Sequence, residues 1–184
     1  MPVKLMIRVP DKLIYLATQR TASRSVCSML INQCGGEKLT DSHHAHMFDM
    51  PLLKKYSEPV YTFIRDPYEY IAARYCYKKR SLAQRKDCTL EEFVPKYSVI
   101  SRKHENGSTM CMYRGYVDRY FLFEKGVKAF FSEVGFPNVE VMTLGMGESK
   151  RLLGKPPMSN KYKRLVDEYF PEEVEIYAGV RNAL

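Results

Sequence analysis

The chain has 184 residues, 45 % of them apolar, which is enough for a real core and leads us to expect a single domain over 1–184. Charged residues make up 27 % and the formal net charge is +8, a balance that favours anionic partners without choosing among nucleotide, acidic glycan, nucleic acid and headgroup. Five cysteines without a Cys-x-x-Cys pair argue for reduced thiols rather than a disulfide or zinc framework. Lys4, Arg8, Asp11 and Lys12 break any apolar leader and no run approaches the ~18 apolar residues of a membrane span, so a soluble, cytoplasmic chain is expected.

Residues 3–9 (VKLMIRV) read as a short edge strand, and Leu13–Ala17 as a buried one. Val26, Met29 and Leu30 fall at helical spacing, and Gly35-Gly36 stops that helix. A histidine-rich polar stretch, Lys38–Met50, precedes a short helix over Pro51–Tyr56 with Asp49 as its cap. Val60–Ile64 is a β-branched and aromatic strand. Asp66 as cap and Pro67 as first helical residue then open a helix over about Tyr68–Lys79. A basic run, Lys78–Lys86, is followed by a helix that Thr89 caps and that runs to about Tyr97. Ser101–Ser108 reads as a loop and Tyr120–Phe123 as a strand ending at Glu124. Val127–Val134 reads as a helix stopped by Gly135, and Val139–Leu144 as a fourth strand. Gly145–Asn160 is a basic loop, and Tyr162–Phe170 and Pro171–Ala178 are terminal helices. Strands alternating with helices point to an α/β fold with a mainly parallel sheet flanked by helices. In such sheets ligands bind beyond the carboxyl ends of the strands.

The turn after the buried strand, Thr18-Gln19-Arg20-Thr21-Ala22-Ser23-Arg24-Ser25, holds two arginines at the start of a helix. The helix dipole opposes cations there by roughly 0.3–1 kcal/mol each, so the pattern makes sense if an anion sits between them and the first-turn N–H groups. The competing reading is a solvated loop with Ser23 as a plain cap. The common phosphate loop requires glycines and a lysine; this segment has no glycine between Leu13 and Asn32 and no lysine in the turn, which weakens a kinase or NTPase reading.

Two blocks, TQRTASRS after the first buried strand and TFIRDPYEYIAARY over residues 62–75, resemble the 5′-phosphosulfate loop and the 3′-phosphate block of PAPS-dependent sulfotransferases, especially the carbohydrate branch. FLFE at 121–124 is similar to a strand ending in glutamate that many members carry. The resemblance implies a P-loop NTPase-like sulfotransferase fold. It implies that Arg20, Thr21, Ala22, Ser23, Arg24 and Ser25 surround the 5′-phosphosulfate and that Arg65 holds the 3′-phosphate; Tyr75 matches the block's closing tyrosine. Tyr70 stands where the family often has arginine, and Ala73 where it has the 3′-phosphate serine. Arg74, or a residue of the 145–164 loop, is then expected to make that contact.

The implied reaction moves a sulfuryl group from PAPS to an acceptor hydroxyl, with no metal expected. Charge develops on the leaving phosphate oxygen, where Arg20, Arg24 and helix N–H groups stabilise it. His44-Ala45-His46 is similar to the His-Gly-His of uronyl 2-O-sulfotransferases, which makes His46 the expected base and His44 a substrate or supporting residue. The residues themselves leave two other readings of His43, His44 and His46 open: a metal site with Asp41 or Asp49, or plain polar surface. The expected acceptor is a glycan or small molecule; nucleic acid is not expected, and a bacterial or viral source is. The alternatives are a nucleotide-dependent phosphotransferase and a non-catalytic basic module that binds anions or glycans.

Overall fold

The computed structural model describes residues 6–18, 21–40, 50–81, 88–103, 114–142 and 156–183. The chain forms two compact units, Met1–Ile64 with Met110–Leu144, and Arg65–Thr109 with Gly145–Leu184.

The first unit is a mixed α/β layer built on a five-stranded sheet. Its strands are β1 (Met6–Val9), β2 (Leu13–Leu16), β3 (Glu37–Lys38), β4 (Val60–Ile64) and β5 (Arg119–Leu122), in the order β3-β1-β2-β4-β5. β2, β4 and β5 run parallel, whereas β1 is antiparallel to both β2 and β3. The sheet is mixed, parallel through its middle as expected, with β1 alone reversed, and β1 is an inner strand rather than the expected edge. The reason is local: Pro10-Asp11-Lys12 turns the chain back at once, closed by Lys12 N–H to Val9 C=O at 3.1 Å. A parallel partner would need a long crossover instead. Asp11 accepts a φ of 60° in that turn.

Helix α1 (Ser23–Gln33) buries Val26, Met29 and Leu30, the residues whose spacing announced it. It ends as expected at Gly35-Gly36. Gly35 adopts φ 69°, and a Cβ on Gly36 would lie 2.7 Å from the Leu30 carbonyl oxygen. Gly36 N–H closes on that same oxygen at 2.8 Å. Met50–Leu53 makes one turn, α2, shorter than expected. Phe123–Lys125 forms a 3-10 turn containing Glu124, and Val127–Glu133 forms α5. The core under the sheet is aromatic: Phe130 lies 5.0 Å from the ring centroids of both Phe63 and Phe121 and 5.7 Å from that of Tyr15.

Residues 139–142 do not form the expected fourth strand; 143 and 144 lie outside the described residues. The segment runs beside α1, where Gln33 takes the place of a strand partner. Its amide donates to Glu140 C=O at 3.0 Å and accepts from Glu140 N–H at 2.9 Å. Met142 N–H also points at the Met29 sulfur, 3.4 Å away. A side-chain amide thus satisfies the backbone that a ladder would otherwise claim.

The second unit is helical: α3 (Pro67–Ser81), α4 (Leu90–Lys103), α6 (Asn160–Tyr169) and α7 (Pro171–Asn182). Asp66 caps α3 as expected, its carboxylate accepting from Tyr68 N–H at 2.9 Å and Glu69 N–H at 3.1 Å. Thr89 and Glu92 form a reciprocal capping box on α4. That helix continues past Tyr97, through Pro95 and into the expected loop at 101–103, because Val94, Tyr97 and Ser98 are buried and packing outweighs propensity. Tyr97 stacks between Phe93 and Phe170, at 5.2 and 5.8 Å. Ser159 caps α6 and donates to Glu91 at 2.6 Å. No helix among the described residues is long and apolar enough to cross a membrane.

Candidate anion-binding site

β2 is fully buried from Leu13 to Leu16, as expected for a strand covered on both faces. Its chain leaves the sheet through Ala17 and Thr18, also buried. Three hydroxyl bonds hold the place where the strand ends. Thr62 on β4 donates to Leu16 C=O at 2.6 Å. Thr18 donates back across the pair to Phe63 C=O at 2.9 Å. Thr21 donates to Thr18 C=O at 2.8 Å, and its oxygen lies 2.7 Å from the Thr18 hydroxyl. Each hydroxyl has one proton. With Thr18's given to Phe63, Thr21's is shared between the carbonyl and hydroxyl oxygens of Thr18.

Ala22 follows in the left-handed region, at φ 54° and ψ 24°. A side chain there costs roughly 1–2 kcal/mol. The conformation turns the chain straight into α1, whose helical bonding begins with Val26 N–H to Ala22 C=O at 3.0 Å. The N–H groups of Ser23, Arg24 and Ser25 precede that bond and have no acceptor within the helix. Ala22, not Ser23, occupies the cap position, and it offers no side-chain acceptor. No acidic residue lies in the first turn of α1, in contrast to the first turns of α3, α4 and α7. Arg24 is exposed and Ser23 half-buried, while Thr21 and Ser25 are buried. The Thr21 hydroxyl, which the resemblance places around the 5′-phosphosulfate, is turned inward onto Thr18. The arrangement suits an oxyanion, with a positive helix end, an exposed guanidinium and no opposing carboxylate in the turn.

Cys27, one turn further along α1, is buried, and this pushes its thiol up to about 12. It is a packing residue at neutral pH, not a nucleophile.

In the second unit, Arg65 is 7 % exposed and its guanidinium lies 3.6 Å from the Glu69 carboxylate. Arg74 is 9 % exposed and its guanidinium lies over the Tyr97 ring, 5.3 Å from the centroid. Tyr70 is buried. Tyr75 donates its hydroxyl to Cys88 C=O at 2.8 Å and packs edge-on against Phe93. Arg20, His43, His44 and His46 lie outside the described residues, as do 145–155 of the basic loop.

Sequence reasoning missed the threonine bonds and the Ala22 geometry. The first had a weak signal, hydroxyl residues at a strand end; the second had none, since alanine has no preference for the left-handed region. No protein-family model matches the chain, and neither does any curated protein or solved structure.

Proposed function

We propose that this protein is a PAPS-dependent sulfotransferase acting on an acceptor hydroxyl, with a carbohydrate as the favoured acceptor class. The observation that carries the reading is the start of α1: a helix N-terminus at the carboxyl end of a buried parallel strand, bearing the exposed Arg24 and no carboxylate. The resemblance of TQRTASRS and TFIRDPYEYIAARY to the family's two cofactor blocks supports it further.

PAPS, when bound, supplies the sulfuryl group. The N–H groups of Ser23, Arg24 and Ser25, with the side chains of Arg24 and Arg20, bind its 5′-phosphosulfate end and offset the negative charge that grows there. Such fixed donors are worth more at the moment of reaction than in the ground state. Arg65 binds the 3′-phosphate with help from Arg74, since Ala73 has no hydroxyl to give. His46 takes the acceptor's proton and His44 orients the acceptor; a positioned base contributes about 10²–10⁴-fold. His46→Ala is expected to lose turnover by that factor while keeping its affinity for 3′,5′-ADP; retained turnover removes His46 from the mechanism.

The deciding experiment is a thermal-shift titration with 3′,5′-ADP, 5′-AMP and ATP–Mg²⁺ in parallel. A ligand that binds only the folded protein at a hundred times its Kd stabilises by about 2.7 kcal/mol. Stabilisation by 3′,5′-ADP and not by 5′-AMP is expected. It should be lost in Arg24→Ala, whose own melting temperature stays close to that of the parent because the side chain is exposed. A response to ATP–Mg²⁺ alone would replace this reading with a phosphotransferase.

A further inference from the structure

The bonds at the end of β2 do more than close a ladder. β2 and β4 pair in register through Ile14–Val60, Tyr15–Tyr61 and Leu16–Thr62. The ladder ends at the Leu16–Thr62 pair, and hydroxyls add to it there: Thr62 to Leu16 C=O, then Thr18 to Phe63 C=O. Thr18 is also the anchor for Thr21, through both its carbonyl and its hydroxyl oxygen. Thr18 and Thr21 are 4 % and 0 % exposed, so water competes little for these groups and a lost partner leaves a buried polar atom unsatisfied. Thr21 is joined directly to Ala22, the residue held at φ 54° that sets the direction of α1. Strained backbone of this kind persists only where its surroundings over-determine it.

We propose that Thr18 is a positioning residue: its hydroxyl and carbonyl clamp Thr21 to the end of β4, and this clamp holds Ala22 and the first-turn N–H groups of α1 in the orientation that receives the cofactor's anion. The identity of that anion rests on the sulfotransferase reading above; the clamp itself does not. Thr18 touches no ligand, and its effect passes through Thr21 and Ala22. Thr62 bonds the last residue of β2 rather than Thr21 and serves as the control. It is as buried as Thr21 and loses a comparable bond when its hydroxyl is removed.

The test uses the full chain as wild type, Thr18→Val, Thr18→Ser and Thr62→Val. Two quantities are read: amide hydrogen exchange across residues 21–26 without ligand, and the Kd of 3′,5′-ADP by calorimetry. In Thr18→Val, exchange across 21–26 is expected to quicken at least tenfold relative to the rest of β2 and α1, and the Kd to rise at least tenfold. Thr18→Ser, which keeps the hydroxyl, restores both. Thr62→Val lowers the melting temperature with the Kd unchanged. Wild-type exchange rates across 21–26 in Thr18→Val overturn the clamp. So does faster exchange with an unchanged Kd, and so does an equal rise in Kd in Thr62→Val, which would make the effect one of general stability. If wild type shows no affinity for 3′,5′-ADP, the cofactor reading and the ligand assigned here both fall, while the exchange data still decide whether the loop is clamped.

Discussion

At the scale of single residues, the turn before α1 combines strain with commitment. Ala22 pays for a left-handed conformation that glycine would accept freely. Ala22→Gly relieves roughly 1–2 kcal/mol of steric cost and gives back about 0.4–1 kcal/mol through the more flexible unfolded chain. A net stabilisation of about 0.5–1 kcal/mol is expected by urea unfolding. A destabilised variant would show that the alanine methyl, which is mostly buried, contributes more by packing than its backbone costs. Arg24 is the opposite kind of residue: exposed, and at the end of a helix where the dipole disfavours a cation. Residue types announced this contrast in part. Cations at a helix start are visible in sequence, but which hydroxyls turn inward is not, because the partners of Thr18 and Thr21 include a carbonyl on β4.

At the scale of elements, the ends of helices were the most legible features, since caps are short-range chemistry. Asp66-Pro67 opens α3, Thr89 with Glu92 opens α4, and Gly35-Gly36 closes α1. Thr89→Ala should cost about 1 kcal/mol, measurable as a lower urea midpoint, with Thr89→Ser recovering most of it. No change would mean that the burial of Val94, Tyr97 and Ser98 alone holds the helix. The same burial explains why α4 outruns its expected end: the Tyr97–Phe170 stack joins side chains far apart in sequence, and that contact overrides Pro95. The failure at 139–142 has the same form. A β-branched run was a fair strand signal, yet Gln33, a residue of α1, supplies its hydrogen bonds.

At the scale of the whole molecule, acid sensitivity is set in both units. In the first, Arg8 bonds Glu58 at 2.8 Å through Nε and Glu37 at 2.7 Å, and lies over the Tyr56 ring at 4.9 Å. The hydrogen bond from Arg8 holds the Glu58 carboxyl below its usual 4.5, against the opposing effect of burial. In the second, Ser159 holds Glu91 low in the same way. A depressed carboxylate stabilises the fold above its unfolded value and loses that contribution as pH falls through the folded one. Glu58→Gln should therefore be less stable than wild type at pH 7, and the difference should shrink as pH drops below 4.5. Urea midpoints between neutral and acid pH check this, and a difference independent of pH would mean that shape rather than charge matters at this position. On the alkaline side, the hydrogen bond to Asp167 lifts the Tyr68 phenol from 10.0 to about 12, so its contribution is full below the unfolded value and is lost as pH rises from there through the folded one. By itself the sequence determined the local matters: the caps that open α3 and α4, the glycines that close α1, that Leu13–Leu16 is a buried strand followed by a cationic turn, and that the +8 chain favours anions. Neighbours a few residues apart decide such things, and their chemistry is written consecutively. Only the tertiary structure decided that β1 is an inner antiparallel strand, that α1 claims residues 139–142, and that Thr18 reaches Phe63 to hold the turn. Those outcomes depend on which distant backbone groups are left to be satisfied once the core has packed, and no single stretch of chain carries that information.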